Sequence, residues 1–224
     1  MLSFFKKYKF FGITFLVLSI IIIAIIYNIL DVKKPLPIYQ PASVNAELVD
    51  STIQYQKKYH HIADFSLTNQ NGKLITQEDY KDKIYVADFF FTTCQTICPI
   101  MTKNMHEIQK KFIADNDIMI LSHSVTPEID TVAQLKRYAI EKGVDSRKWN
   151  LVTGDKKEIY ELARKSYMAV KDNGDGGQFD MIHTENFMLI DKKRQIRGYY
   201  DGTNLEEIDR LIEDIKSLKS SYKD

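Results

Sequence analysis

The sequence predicts an α/β domain that follows a single membrane-spanning helix. An uncharged apolar run occupies residues 10–30, and after residue 60 apolar segments of strand length alternate with segments of helical periodicity. The composition is that of a globular protein, with 44% hydrophobic and 27% charged residues. The net charge of +1 lacks the strong basic bias of nucleic-acid-binding proteins, so we expect no nucleic-acid partner.

The apolar run at residues 10–30 is long enough to cross a membrane, since about 1.5 Å per residue gives roughly 30 Å, the thickness of a bilayer core. Lysines within residues 6–9 precede the run, and Asp31 ends it. The positive-inside rule then places the N-terminus in the cytoplasm and everything after residue 30 on the other, outer side of the membrane. A cleaved signal peptide would have a shorter apolar region and a small-residue cleavage site, whereas residues 25–30 are bulky. We therefore expect residues 1–30 to hold an uncleaved, single-pass anchor.

Residues 31–59 are expected to form a linker, because prolines interrupt the first part and polar residues dominate the second. The folded domain is then expected to occupy residues 60–224. Within it, residues 171–180 are rich in glycine, asparagine and aspartate. This stretch lacks the spacing and the final glutamate of an EF-hand calcium loop, so we interpret it as a flexible loop.

The first predicted elements of the domain are a hairpin, a central strand and a helix. Residues 64–68 and 73–76 flank an Asn-Gln-Asn-Gly turn, which predicts a β-hairpin. Residues 84–91 form an apolar run interrupted by Asp88, and such runs are typical of central strands with both faces covered. Residues 99–116 carry apolar side chains at helical spacing and predict a helix.

Two further strand–helix pairs follow. Residues 118–121 are an apolar strand, and the next helix is predicted at residues 130–142, where Gly143 ends it. Residues 149–152 predict a short strand and residues 156–167 another helix.

The domain ends with two strands, residues 186–191 and 195–200, joined by a basic turn, and with a helix at residues 204–218. Central strands that alternate with helices and end in a hairpin are typical of an α/β domain of thioredoxin type. We therefore expect a thioredoxin-like domain behind an N-terminal single transmembrane helix.

Both cysteines of the chain, Cys94 and Cys98, lie in one Cys-x-x-x-Cys loop between the central strand and the helix that starts at Pro99. Proline is favoured in the first turn of a helix, and a helix N-terminus favours a thiolate. A disulfide across so short a loop would stabilise the fold little. The pair therefore indicates metal or redox chemistry rather than a structural cross-link. In a redox pair, Cys94 is expected to attack and Cys98 to resolve.

Two thiolates suit Cu(I), and an added imidazole suits both oxidation states of copper. Zinc is less favoured, because structural zinc sites usually close four ligands and only a third is available here. His123, at the end of the second buried strand, and His183, before the later hairpin, are the two candidates for that third ligand. The other histidines are interpreted as surface or hydrogen-bonded residues: His60, His61 and His106.

Three more residues near the thiols have two interpretations. Met101 and Met105 lie one helical turn apart, and their thioethers could bind Cu(I), but methionines at this spacing usually pack in a core. Asp88 is either a buried acid near the thiols or a residue at an exposed edge of the sheet.

The segments around these residues resemble the Sco/SenC family. Residues 89–99 (FFFTTCQTICP) are similar to its thiol motif, and residues 124–131 (SVTPEIDT) to a second block that follows the next strand. Residues 182–191 (IHTENFMLID) are similar to a third block, in which a histidine precedes a strand. The resemblance covers about residues 60–218 and the N-terminal anchor.

The resemblance implies a membrane-anchored, thioredoxin-like copper metallochaperone. Its metal ligands would be Cys94, Cys98 and His183, and it would assist assembly of the binuclear copper centre of cytochrome c oxidase. The expected partner is the copper subunit of a respiratory oxidase or another copper acceptor. The alternative is a thiol–disulfide oxidoreductase that keeps the copper-binding cysteines of the acceptor reduced.

The chain departs from the family pattern at three positions next to these ligands. Gln95 stands where many members have proline, Ile182 where an aspartate often precedes the histidine, and Thr126 where aspartate is usual. The ligands themselves are retained. Because neighbouring groups orient metal ligands, we expect the metal affinity or the redox potential to differ from the family norm.

Overall fold

The computed structural model describes residues 8–30, 35–49, 51–170 and 181–222. The chain divides into two compact units, residues 1–35 and residues 36–224. Each unit is described by itself below.

In the described part of the first unit there is one helix, α1 (Lys9–Leu30). Its segment Lys9–Ile26 is long and apolar enough to cross a membrane, and none of that segment is buried. These properties match the predicted anchor. The flanking charged residues that set the predicted orientation, apart from Lys9, lie outside the described residues.

The second unit is built on a mixed sheet. Its strands in chain order are β1 (Ser66–Asn69), β2 (Leu74–Thr76), β3 (Ile84–Phe90), β4 (Ile118–Ser124), β5 (Trp149–Thr153), β6 (Asn186–Ile190) and β7 (Ile196–Asp201). They lie in the order β2-β1-β5-β4-β3-β6-β7. The central strands β3, β4 and β5 are parallel, and the hairpins β1–β2 and β6–β7 extend the two edges in antiparallel pairing. This arrangement confirms the predicted α/β domain of thioredoxin type.

The α-helices described in this unit are α2 (Cys98–Lys111), α3 (Val132–Lys142), α4 (Lys156–Glu161) and α5 (Leu205–Ser220). Three of them begin at a side chain that accepts a hydrogen bond from a free backbone N–H, which is the usual N-cap arrangement, whereas α2 has no such cap. Asp155 caps α4 and Asn204 caps α5. Two helices differ from prediction: α2 ends at Lys111 rather than near residue 116, and the chain after α4 continues as a π-helical turn, Leu162–Ser166.

Side chains alternate between the two faces of the sheet along β3, as strand geometry requires. Val86 and Phe90 belong to a core cluster formed with α2, α3 and α5. Tyr85 and Phe89 belong to the other cluster, on the opposite face, formed with α4 and with residues before β1. All seven residues of β3 are buried, because β4 and β6 flank the strand and helices cover it.

Residues 31–59 are predicted to form a linker, but the described residues 36–49 and 51–59 belong to the second unit. We call residues 36–49 and 51–59 the N-terminal arm. The arm packs against the domain: Val49 is buried in a core cluster, and the Tyr39 N–H donates to the Ile196 carbonyl over 2.9 Å. Prolines and polar residues are common both in linkers and in extended arms, so composition alone did not separate the two. The Tyr39 hydrogen bond satisfies one backbone carbonyl of β7, which is the edge strand of the sheet.

Candidate metal and thiol site

The thiol loop (residues 91–98) connects the C-terminal end of β3 to α2. The C-terminal ends of parallel strands are a common place for ligand sites in α/β folds. The Cys94 N–H donates to the Phe91 carbonyl over 3.3 Å, which closes a turn at the start of the loop. Cys98 is the first residue of α2 and is buried, whereas Cys94 is partly exposed. The loop therefore presents one sulfur to solvent and keeps the other inside.

Both cysteines are free thiols, and they interact with each other. The Cys94 Sγ accepts a hydrogen bond from the Cys98 backbone N–H over 3.4 Å and lies 3.6 Å from the Thr96 Oγ1. Burial alone would raise the pKa of the Cys94 thiol, but hydrogen bonds from Cys98 and Thr96 outweigh that effect and lower the pKa to about 7. A substantial fraction of Cys94 is therefore thiolate at neutral pH.

Cys98 has the opposite character. Burial raises the pKa of its thiol to about 12, and the nearby Cys94 sulfur and Asp88 carboxyl act in the same direction. The pair is therefore asymmetric, with a reactive outer sulfur and a protonated inner sulfur. This asymmetry is what the predicted attacking and resolving roles require.

Asp88 lies in the central strand β3 on the face of the sheet that carries α2. Its carboxylate accepts a hydrogen bond from the Ser122 hydroxyl, which in turn accepts one from the Trp149 Nε1 over 2.8 Å. Burial raises the pKa of Asp88 to about 7. Of the two predicted positions, the structure has the buried one, because β3 lies between β4 and β6 and cannot be an edge strand.

His123 is fully buried on the other face of the sheet. Its ring stacks on Phe89, with ring centroids 4.8 Å apart, and its Nδ1 lies 3.2 Å from the Asp88 carbonyl oxygen. Burial lowers the pKa of His123 to about 4. In this position His123 faces away from the buried Cys98, so it is poorly placed to be the third ligand.

His183 is exposed and lies in the segment that leads into β6. Its ring meets the ring of Phe91 edge-on, with centroids 5.7 Å apart. His183 is therefore beside the start of the thiol loop. Among the residues that the structure describes, no three His, Cys, Asp or Glu side chains lie close enough together to hold a metal ion. The structure thus brings Cys94 and Cys98 together, but the full predicted ligand set is not assembled.

The remaining candidates have ordinary structural positions. Met101 and Met105 are buried in the core cluster that contains Cys98, as expected for packing residues. His60 is buried with its Nε2 2.8 Å from the Ser166 carbonyl oxygen, and His61 is exposed. The glycine-rich stretch at residues 171–180 lies outside the described residues.

The sequence did not reveal the role of Asp130 at this site. Its buried carboxylate accepts hydrogen bonds from Thr92 in the thiol loop, from Ser124 at the end of β4 and from Thr126 just after that strand. The available signal was the concentration of hydroxyl side chains around one acid in residues 124–131. That pattern equally fits a helix cap, and Thr131 does cap α3.

Comparison with known proteins agrees with this architecture. A model of the SCO1/SenC family matches residues 53–220. The SCO1 protein homolog of Bacillus subtilis is 37% identical over 163 residues, which cover 72% of this chain and 84% of the relative.

Two solved structures extend the comparison. BsSco, a member of the Sco family of cytochrome c oxidase assembly proteins in which a disulfide switch was identified, is 36% identical, with a TM-score of 0.62 over 72% of this chain and 94% of that chain. Copper-bound ScoI of Bradyrhizobium japonicum is 26% identical, with a TM-score of 0.57 over 71% of this chain and 99% of that chain. Because the family model matches most of the sequence and the Bacillus subtilis relative is similar over 72% of it, the chain belongs to the SCO1/SenC family.

Proposed function

We propose that this protein is a membrane-anchored copper metallochaperone that assists assembly of the binuclear copper centre of cytochrome c oxidase. Copper is its cargo, held by Cys94, Cys98 and His183. The observation that carries the proposal is the pair of free, adjacent thiols at the start of α2, with His183 beside the same loop. The copper-bound relative from Bradyrhizobium japonicum supports copper as the metal.

The donor set fits this cargo. Thiolates are soft ligands that suit Cu(I), and imidazole suits both copper oxidation states. Three protein ligands leave a position at which an acceptor protein can take the metal. Binding through all three requires the His183 ring to move from Phe91 towards the sulfurs, and its exposed position leaves room for that movement.

The length and apolar composition of α1 support a position of this chemistry at a membrane. Helix α1 is proposed to span the bacterial inner membrane once, with residues 36–224 on the outer side. The copper subunit of a respiratory oxidase is the proposed acceptor.

A second function is favoured by the asymmetry of the thiols. As an oxidoreductase, the Cys94 thiolate would attack a disulfide in the acceptor and form a mixed disulfide. Cys98 would then lose its proton and attack the Cys94 sulfur, which releases the acceptor as a dithiol and leaves a Cys94–Cys98 disulfide. Two electrons pass to the acceptor, and an external thiol reductant must return them. The disulfide switch identified in BsSco supports this reading.

One experiment with two arms separates the functions. In the first arm, the copper-loaded protein is mixed with the metal-free, reduced copper-binding domain of an oxidase subunit, and the visible absorption of the binuclear centre is recorded. In the second arm, the reduced metal-free protein is mixed with the same domain in its disulfide form, and the acceptor thiols are counted.

The metallochaperone is expected to transfer copper in the first arm and to lose this activity in His183→Ala. An oxidoreductase would act in the second arm, would keep that activity in His183→Ala and would lose it in Cys94→Ser. His61→Ala is the control, because His61 is exposed and lies before β1. Failure of copper transfer by the wild-type protein would reject the first function.

A further inference from the structure

The carboxylate of Asp130 is fully buried where the thiol loop, the end of β4 and the turn before α3 meet. It accepts four hydrogen bonds: from the Thr92 N–H over 3.2 Å, the Thr92 hydroxyl over 2.5 Å, the Ser124 hydroxyl over 2.6 Å and the Thr126 hydroxyl over 3.1 Å. In the part of the chain that the structure describes, no lysine, arginine or histidine pairs with it. The hydroxyl and N–H donors therefore satisfy this carboxylate, and such charge-assisted hydrogen bonds are among the stronger ones in proteins.

Thr92 connects this network to the thiols. Its hydroxyl donates to Asp130 and accepts from the Gln134 Nε2 over 2.9 Å, and its N–H also donates to Asp130. Gln134 lies in the first turn of α3, where its own N–H donates to the capping Thr131 hydroxyl over 3.3 Å. The backbone N–H and the hydroxyl of Thr92 thus connect the start of the thiol loop to the start of α3.

The other end of the loop is fixed by α2, because Cys98 is the first residue of that helix and is buried. Only residues 93–97 lie between the two fixed ends. Cys94 is two residues from Thr92, and its sulfur rests against the Cys98 N–H at 3.4 Å. If Thr92 were released, the Cys94 sulfur would sample a wider volume, and its effective concentration near Cys98 would fall.

We propose that Asp130 is a positioning residue for the thiol pair. Through Thr92 it holds the Cys94 sulfur close to Cys98. It thereby favours states that need both sulfurs, such as the Cys94–Cys98 disulfide. This inference deepens the proposed function because it concerns the same two thiols, but its test uses no copper.

The test compares Thr92→Val and Asp130→Asn with the wild type in the full chain, solubilised in detergent under nitrogen. Each protein is equilibrated with mixtures of reduced and oxidised glutathione, and the fraction with a Cys94–Cys98 disulfide is measured by mass spectrometry after alkylation. In this equilibrium the dithiol loses two electrons and two protons to oxidised glutathione, which yields two reduced glutathione molecules. Both variants are expected to shift the equilibrium at least about tenfold towards the dithiol, which corresponds to about 30 mV.

The two substitutions act on the network in different ways. Valine has the shape of threonine but removes the hydroxyl of Thr92. Asparagine replaces one carboxylate oxygen with an amide group, which cannot accept the hydrogen bonds that this oxygen receives. Thr92→Val retains the Asp130 charge, so it decides the outcome if Asp130→Asn does not fold.

Thr203→Val is the matched control. The Thr203 N–H and hydroxyl both donate to the Asp201 carboxylate, over 2.8 and 2.7 Å, as those of Thr92 do to Asp130. This pair lies at the end of β7, and β6 separates β7 from β3. The control is expected to remain within twofold of the wild-type equilibrium.

Two results would overturn the inference: a Thr92→Val equilibrium within twofold of wild type, or an equal shift in Thr203→Val. Failure of the copper function is a separate outcome, because a wild-type protein that binds no copper can still show the shift in Thr92→Val.

Discussion

The Cys94 sulfur accepts a hydrogen bond from the Cys98 backbone N–H over 3.4 Å, at the first residue of α2. This contact places the outer sulfur where the helix N-terminus stabilises negative charge, while the inner sulfur is buried beneath it. The two thiols are four positions apart in the same loop, yet their surroundings favour opposite protonation states.

This difference predicts a selective reaction with alkylating agents. The Cys94 pKa of about 7 means that its thiolate fraction, and hence its rate with iodoacetamide, should rise between pH 6 and pH 8 with a midpoint near pH 7. Cys98 should react at least about 100-fold more slowly at pH 8, because it is buried and its pKa is raised. Peptide mass spectrometry of the reduced, metal-free protein measures both rates, and Cys94→Ser isolates Cys98. Equal rates, or a Cys94 midpoint near the 8.5 of a free thiol, would contradict the described geometry.

Asp88→Asn should change how stability depends on pH. The raised pKa of Asp88 means that the folded state holds a proton that the unfolded state loses above about pH 4. The cost of burying Asp88 is therefore absent below about pH 4, grows as pH rises from about 4 to 7, and stays constant above that range. The variant lacks this group, so relative to wild type it should gain on the order of 2 kcal/mol between pH 5 and pH 7. Urea unfolding of residues 36–224 at both pH values measures the difference, and identical pH profiles would reject it.

His123→Phe should act in the opposite direction. The lowered pKa of His123 means that the unfolded state binds a proton that the folded state excludes. The stability that the neutral ring provides is complete above about pH 6.5 and is lost as pH falls towards 4. The variant should therefore resist acid better than wild type, by about 2 kcal/mol at pH 5 relative to pH 7. Urea unfolding of residues 36–224 at pH 5 and pH 7 measures the difference, and a variant whose stability depends on pH as the wild type's does would contradict it.

The N-terminal arm should contribute to the stability of the domain. Val49 is buried in a core cluster, so Val49→Ala should reduce the free energy of unfolding by about 1–3 kcal/mol. Ile38→Ala is the control within the arm, because Ile38 is exposed and should cost no more than about 0.5 kcal/mol. Urea unfolding of residues 36–224 compares the two. Equal effects would mean that the arm does not pack as described.

The central part of the fold was predictable because its signals are local. The apolar run of β3, the thiol loop and the start of the following helix adjoin one another in the sequence, and the structure has them in the predicted order. Gly143 was correctly placed at the end of α3, where its φ of 69° is a conformation that favours glycine.

The positions that depend on distant contacts were not predictable in the same way. Val49 contacts the domain through the core cluster that also contains Tyr85 and Phe89, and Tyr39 contacts it through a hydrogen bond to β7. No local sequence pattern predicts either contact. His123 and His183 could not be separated from spacing alone, because the face of the sheet that each occupies depends on register and on neighbouring strands. The Thr92–Asp130 contact joins residues 38 positions apart in the sequence, so it also required the folded structure.

The most direct test of the account is an anaerobic copper titration of the reduced protein, with metal content and visible absorption recorded. We predict about one copper per chain, with thiolate-to-Cu(II) charge-transfer bands that are retained in His123→Phe and lost in His183→Ala. The contrary result is copper binding that survives His183→Ala unchanged, or a wild-type protein that retains no copper while it forms a reversible Cys94–Cys98 disulfide.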